Sequence, residues 1–428
     1  MNTQKLIISF FLFVCFGFSG TAQKTILFSK ATVHIGNGKV INQGLVGVKG
    51  DEIILVENAL THNIDKAVWD TIIDLKGLDI YPGFIAPNSK LGLTEIDAVR
   101  ATRDFKEVGT FNPHVRSLIA YNAESDVIGT VKTNGVFYTQ ATPEGGVISG
   151  SSSIMSLNAW NWEDAVLKTD DGIHLNWPNP ISGGGWSGKS KSLNENYSTK
   201  LKEIRSFFEA AHAYSKSTDI FDQRFEAMRE LFTGEKRLYI HGNQMRAILD
   251  IIDFQRELNI NYPVIVGGYD AHKVTSELVT ANVPVIIKGG HTLPSNEDDP
   301  IDLPYRLPYL LNEAGVLFCI QNSGRMETMN TRNLPFLAGT AMAYGLNQGE
   351  ALSAITLNTA KILGIGEIVG SIEVGKKATL FVNNGNALDM RTNNIITGMI
   401  NGEFIDLTNI QTDLYDKYQE KYKKDQQN

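Results

Sequence analysis

The interior of the chain repeats one pattern: a short, continuously apolar run, then a segment with helical spacing. "RLYIHG" precedes "NQMRAILDIIDFQREL", "YPVIVGG" precedes "YDAHKVTSELVTA", and "VPVIIKGG" and "VLFCIQN" follow. A strand apolar on both faces belongs inside a sheet covered on both sides, and helices between such strands make that sheet parallel. Residues 81–369 hold enough of these units for a (β/α)8 TIM barrel. Upstream, "NGVFYTQA" reads as another strand and the following "GGVISGSS" as a glycine-rich loop. That loop resembles a phosphate cradle only superficially, since it lacks Lys-Ser/Thr at the required offset.

Both ends have a different texture. Residues 23–80 and 370–412 consist of short alternating or apolar runs broken by turn residues, as in "TILFSKATVHIGNG" and "GSIEVGKKATLFVNNG". They are expected to meet in one discontinuous β-sandwich domain. Residues 413–428 form a charged tail, expected to be a solvated surface end. The net charge of −8 and the lack of an interior basic cluster argue against a nucleic-acid partner.

Residues 1–22 read as a secretory signal: Lys5, the apolar "LIISFFLFVCFGF", then "GTA" ending at Ala22. The protein is therefore expected to be secreted or periplasmic, with no membrane span once the signal is removed. Cys15 would leave with the signal, so Cys319 would be the lone thiol, in a strand-like run where packing is its expected role.

"PGFI" at 82–85, "VRATRDFKEVGTFNP" at 99–113 and "ALSAITLNTAKILGIGEIVGSIEVGKKATLFV" at 351–382 resemble the amidohydrolase superfamily, in its imidazolonepropionase-like branch. The resemblance implies a barrel flanked by a β-sandwich, and hydrolysis of non-peptide C–N bonds by metal-activated water. It also implies where ligands should stand. The first-strand histidine pair falls at Asn88 and Lys90, and the fifth-strand histidine at His241. The sixth-strand histidine falls at Gly267 or Gly268, and the eighth-strand aspartate near Asn322. Thr379 stands where the family usually has aspartate, in the sandwich. A divalent ion prefers carboxylate and neutral imidazole donors, so an amide and an ammonium in their place predict a degenerate site in which Lys90 replaces part of the missing charge.

Two functions are carried forward. One is a family-shaped protein without metal-dependent turnover, acting as a binding or assembly partner of a small molecule, an active relative or a second copy; it needs no cofactor. The other is a working hydrolase of cyclic amides or N-acyl compounds that uses His241 with unconventional groups or with a single zinc-type ion.

Asp270 is expected to cap its own helix or to border the pocket, and His272 to lie on the surface. His291, after "VIIKGG" with Lys288 just before it, is expected to be a loop histidine near any pocket; Asn88, Asp270 and His291 are the candidate substrate-binding residues. Trp160, Trp162, Trp177 and Trp186 are expected to bury a long loop, and the acidic "NEDDP" at 296–300 to form a solvated turn.

Overall fold

The computed structural model describes residues 23–182, 191–216, 221–322, 324 and 328–426, side chains of 424–426 excepted. The signal-like segment 1–22, with Cys15, and also Trp186 lie outside the described residues.

Five strands open the chain: β1 (Thr25–His34), β2 (Val40–Lys49), β3 (Glu52–Asn58), β4 (Thr71–Asp74) and β5 (Asp79–Pro82). The barrel strands are β6 (Phe84–Ser89), β7 (Val136–Ala141), β8 (Ile148–Ser156) and β9 (Val166–Asn176). A two-stranded ribbon follows, β10 (Ile181–Ser182) with β11 (Ser192–Leu193). The barrel resumes with β12 (Arg237–Gly242), β13 (Pro263–Gly267), β14 (Val285–Lys288) and β15 (Phe318–Gln321). The chain then returns to its first sheet with β16 (Leu380–Asn383), β17 (Ile395–Ile400) and β18 (Glu403–Ile405).

The barrel sheet has eight strands in chain order, and β15 comes back beside β6 to close it. The expected barrel is thus present, with one departure. β8 runs antiparallel to both β7 and β9, so the third position is filled by a hairpin instead of a strand–helix unit. The glycine-rich loop expected at "GGVISGSS" is corrected accordingly: from Ile148 it is strand. Its serines are small enough to be buried, and their hydroxyls find partners, Ser151 on the Pro113 carbonyl and Ser152 on Asp171.

β12 leads into the helix Met245–Glu257, whose Ala247, Ile248, Ile251, Ile252 and Phe254 are buried at helical spacing. Cys319 is a buried free thiol whose pKa is raised by burial, as packing predicts.

The two chain ends form the second sheet, ordered β18-β17-β16-β5-β1-β2-β3, with β4 beside β1. The first half of β1 pairs with β4 and its second half with β5, and the register breaks around Ala31 next to Lys30 at φ +55. One long strand thereby serves two neighbours, and the ladder wraps around its own core of Phe28, Val33, Val46, Val48, Ile80, Leu380, Val382 and Met399. The domain meets the barrel where Phe84 and Phe137 pack edge-on against Phe381. Beside them Tyr138 donates to Asn401 Oδ1 at 2.7 Å, and its hydroxyl lies 3.0 Å from that of Thr379. The tail is helical over Ile410–Gln426. Among the described residues, no helix is long and apolar enough to cross a membrane.

Candidate functional site

A cavity of about 640 Å³ opens at the C-terminal ends of the barrel strands. His241 and Gly242 of β12, Gly267 of β13, Lys288 at the end of β14 and Gly289 after it line it, with Trp177, Tyr269, Asp270 and Lys191 on its walls. This is the face where barrel loops assemble sites.

His241 stands half-buried at the floor. Its Nε2 lies 2.9 Å from Nδ1 of His174, a fully buried residue of β9. The His174 ring stacks on Tyr239, with centroids 4.7 Å apart. Below, the Tyr239 hydroxyl donates to Asp171 at 2.6 Å; Asp171 also accepts from Ser152 at 2.7 Å and from Gln140 Nε2 at 2.9 Å. Gln140 Oε1 in turn accepts the backbone N–H of Asn88, whose side-chain amide donates to Gln321 at 2.5 Å. One polar network therefore runs through the barrel from β6 to β12 and across to β15.

The Lys90 side chain, 12% exposed, lies beside this network. Its Nζ donates to the Thr142 carbonyl at 3.1 Å and lies 3.6 Å from Glu144, with the Phe105 ring 5.6 Å away. Burial pushes the Lys90 pKa down. Burial, with a smaller contribution from the Lys90 charge, holds His241 at about 3. His174 is driven well below its ordinary value by burial first, then by His241 and Lys90. Both imidazoles are therefore neutral at physiological pH. Asp171 moves the other way, its pKa raised by burial against the three hydrogen bonds it accepts. The buried atoms without a protein partner include His174 Nε2 and Asn88 Oδ1 in this network and Gln244 Oε1 on the cavity wall.

The residues singled out in the sequence are only partly brought together. His241 and Asp270 line the cavity. Lys90 reaches the imidazoles through its charge, and Asn88 belongs to the network beneath. Asn322 does not join it: the preceding Gln321 makes the contact with Asn88, and Asn322 Nδ2 is buried without a partner. Gly267 and Gly268 have φ of +105 and +58, backbone that a side chain strains, and a Cβ on Gly267 would displace the Asn243 side chain, whose Oδ1 lies 2.4 Å from that position.

Asp270 does not cap its own helical turn. It accepts the Met245 N–H at 3.0 Å, at the start of the next helix over, and pairs with Lys273 at 2.7 Å. His272 is half-buried against the Tyr269 carbonyl. His291 is exposed, 2.9 Å from the Thr340 hydroxyl, and is absent from the cavity wall. Asp299 of the acidic run accepts from Tyr269 at 2.8 Å and from Asn296 at 2.9 Å, a turn that supports the cavity rim.

The tryptophans divide. Trp177 is buried edge-on against Phe254 and Trp162 packs on the core, whereas Trp160 is 86% exposed, contrary to the packing expected of it. The residue that sequence reasoning missed is His174. Its signal was present in "DGIHLNW", a strand run with one imidazole among apolar neighbours.

Residues 233–405 match the model of the Amidohydrolase family. Imidazolonepropionase of Syntrophobacter fumaroxidans is 39% identical over 74 residues, 17% of this chain; the match spans 18% of that relative's length. Among solved structures, an amidohydrolase from Thermotoga maritima MSB8 superposes with TM-score 0.76 at 24% identity, covering 89% of this chain and 99% of that one. A molinate hydrolase gives TM-score 0.53 at 13% identity, covering 90% and 95%. At these identities the structural likeness establishes the fold.

Proposed function

Since the chain carries amidohydrolase-family sequence over residues 233–405 within an amidohydrolase barrel, we propose that its mouth binds a small polar molecule without metal-dependent turnover, in a protein that works as a binding or assembly partner. The observation that carries this is the direct contact of His174 and His241 beside a largely buried lysine.

Members of the family typically use a divalent ion such as zinc. A catalytic zinc site takes three protein donors and leaves a position for water. Among the described residues no three His, Cys, Asp or Glu side chains converge as such a site requires. The imidazole pair spends a nitrogen from each ring on the other, and, among the described residues, Lys90 acts on both by charge. An ammonium there opposes a divalent cation. The donor set does not fit the family's ion. The residues instead offer a neutral imidazole surface, with the amides of Asn243 and Gln244 and the Trp177 ring around it.

The test is metal content of protein purified without chelators, measured beside hydrolysis of a panel of cyclic amides and N-acyl compounds. Metal far below stoichiometric and no turnover are expected. Stoichiometric zinc with turnover abolished in His241→Ala would overturn the proposal and restore the hydrolase reading. Export is part of the same proposal and rests on residues 1–22; N-terminal sequencing of protein recovered outside the cytoplasm, beginning at Gln23, is the expected result.

A further inference from the structure

We infer that the ligand of the barrel mouth is a small organic dicarboxylate, held by Lys191 and Lys288. The inference rests on the reading above, that this mouth binds a small molecule, and adds its chemical class.

Among the described residues the cavity wall carries three charged side chains, Lys191, Asp270 and Lys288. The two lysines come from different elements. Lys288 ends β14, and its side chain has no hydrogen bond or ion pair among the described residues. Lys191, just before β11, reaches over to the loop that follows β14. Its Nζ donates to Asn296 Oδ1 at 2.9 Å and to the Ser295 carbonyl at 3.5 Å. Both acceptors are neutral and an ammonium has three N–H groups, so the charge and one donor are left for a ligand.

The nearby carboxylates do not answer these charges. Asp270 Oδ1 lies 2.7 Å from Lys273 Nζ, and Asp270 Oδ2 accepts the Met245 N–H at 3.0 Å. Asp299 accepts from Tyr269 and Asn296, while Glu297 and Asp298 are exposed on the rim, outside the wall. An imidazole carries no negative charge, so His241 adds none at the floor. A ligand in this cavity therefore meets two ammonium groups without a counter-charge, which selects an anion with two charges.

Carboxylate fits this wall better than phosphate. Phosphate sites gather converging backbone N–H groups. Here the N–H groups of Met245, Gly268 and Gly289 are spent on Asp270, the Gly242 carbonyl and the Gln321 carbonyl. One further atom shapes the ligand. Gln244 Oε1 is buried on the wall without a protein donor, and a buried acceptor left so is costly. A hydroxyl or amide N–H on the diacid would supply that donor.

The experiment is isothermal titration calorimetry of the full chain with malate, succinate, glutarate and 2-hydroxyglutarate, each beside its diamide and beside inorganic phosphate. Diacid binding is expected, tighter for the hydroxylated acids, with each diamide at least about 10-fold weaker. Lys288→Gln and Lys191→Gln should each weaken the best diacid at least about 10-fold and flatten its salt dependence. Both lysines are exposed, so these variants should keep the wild-type urea midpoint. Lys202→Gln, exposed and absent from the wall, should leave binding unchanged. Diamides that bind as well as the acids, at a site removed by His241→Ala, would overturn the proposal and leave a mouth for neutral molecules. Tightest binding by inorganic phosphate, or no diacid binding at all, would overturn it too. Diacid binding that ignores both lysine variants and disappears when a chelator strips a bound metal would overturn it together with the reading beneath it.

Discussion

In the sheet built from the chain ends, the buried histidine has ordinary company. His34 lies 2.9 Å from the Asp79 carboxylate and stacks on Tyr81 at 4.2 Å, at the margin of an otherwise aliphatic and aromatic core. In the barrel, His174 faces another imidazole, has a largely buried ammonium nearby, and leaves one nitrogen without a partner. The first arrangement is what stability alone selects, since a buried polar group is met by its complement. The second lowers stability and persists where a site needs neutral, under-coordinated groups. The contrast separates a domain that supports from the one that carries the proposed binding site.

The largest expected effect attacks the supporting domain. Phe28 is fully buried in its core, and Phe28→Ala should cost about 3–5 kcal/mol, read as a shift in the urea midpoint. The titration of His241, followed by NMR, should be unchanged in that variant. If the histidine signals move with the core, the two regions are not independent and the contrast fails.

A smaller loss is expected from the polar network. Asp171→Ala strands the Tyr239 hydroxyl and one N–H of Gln140, whose amide still reaches Ser152 Oγ at 3.2 Å, at about 1–3 kcal/mol for each unmet group, partly offset because a buried carboxylate is no longer held there. The same variant should let Tyr239 shift beneath His174 and so alter ligand binding at the mouth, which Phe28→Ala should not. Equal effects of the two substitutions on ligand binding would mean that the network is merely structural.

The two regions also differed in how much of them could be read beforehand. Alternation in "TILFSKATVHIGNG" and continuous apolar runs such as "YPVIVGG" name their faces directly, because pleat and burial follow side-chain type. His241 was legible as the last imidazole of a strand. His174 was not, because its importance comes from a register in which β9 and β12 place His174 opposite Tyr239 and its imidazole against His241. The antiparallel β8 was hidden for a related reason. Glycines and serines that read as a loop became strand once their hydroxyls found carbonyls and Asp171. Asp270 looked like the cap of its own helix, and only the approach of Met245 redirected it.

The smallest effect concerns pH. Burial, and then Lys90, holds His241 at about 3 against an ordinary value of 6.5, and His174 is depressed as well. Below about pH 6.5 the unfolded chain therefore takes up protons at these sites that the folded chain refuses. Their contribution to stability is complete above that pH and declines as acid is added, for His241 down to about 3. Asp171 acts in the opposite sense: its raised pKa makes the fold lose stability as pH rises from 3.8 through the folded value. Lys90→Met removes one of the two causes acting on His241. The variant's His241 should titrate above wild type yet stay below 6.5, since burial is the larger cause. Its urea midpoint should accordingly fall less than that of wild type between pH 7 and pH 4. A His241 titration unchanged in Lys90→Met would mean that the ammonium does not act on the pair, and the barrel's histidines would differ from His34 by burial alone.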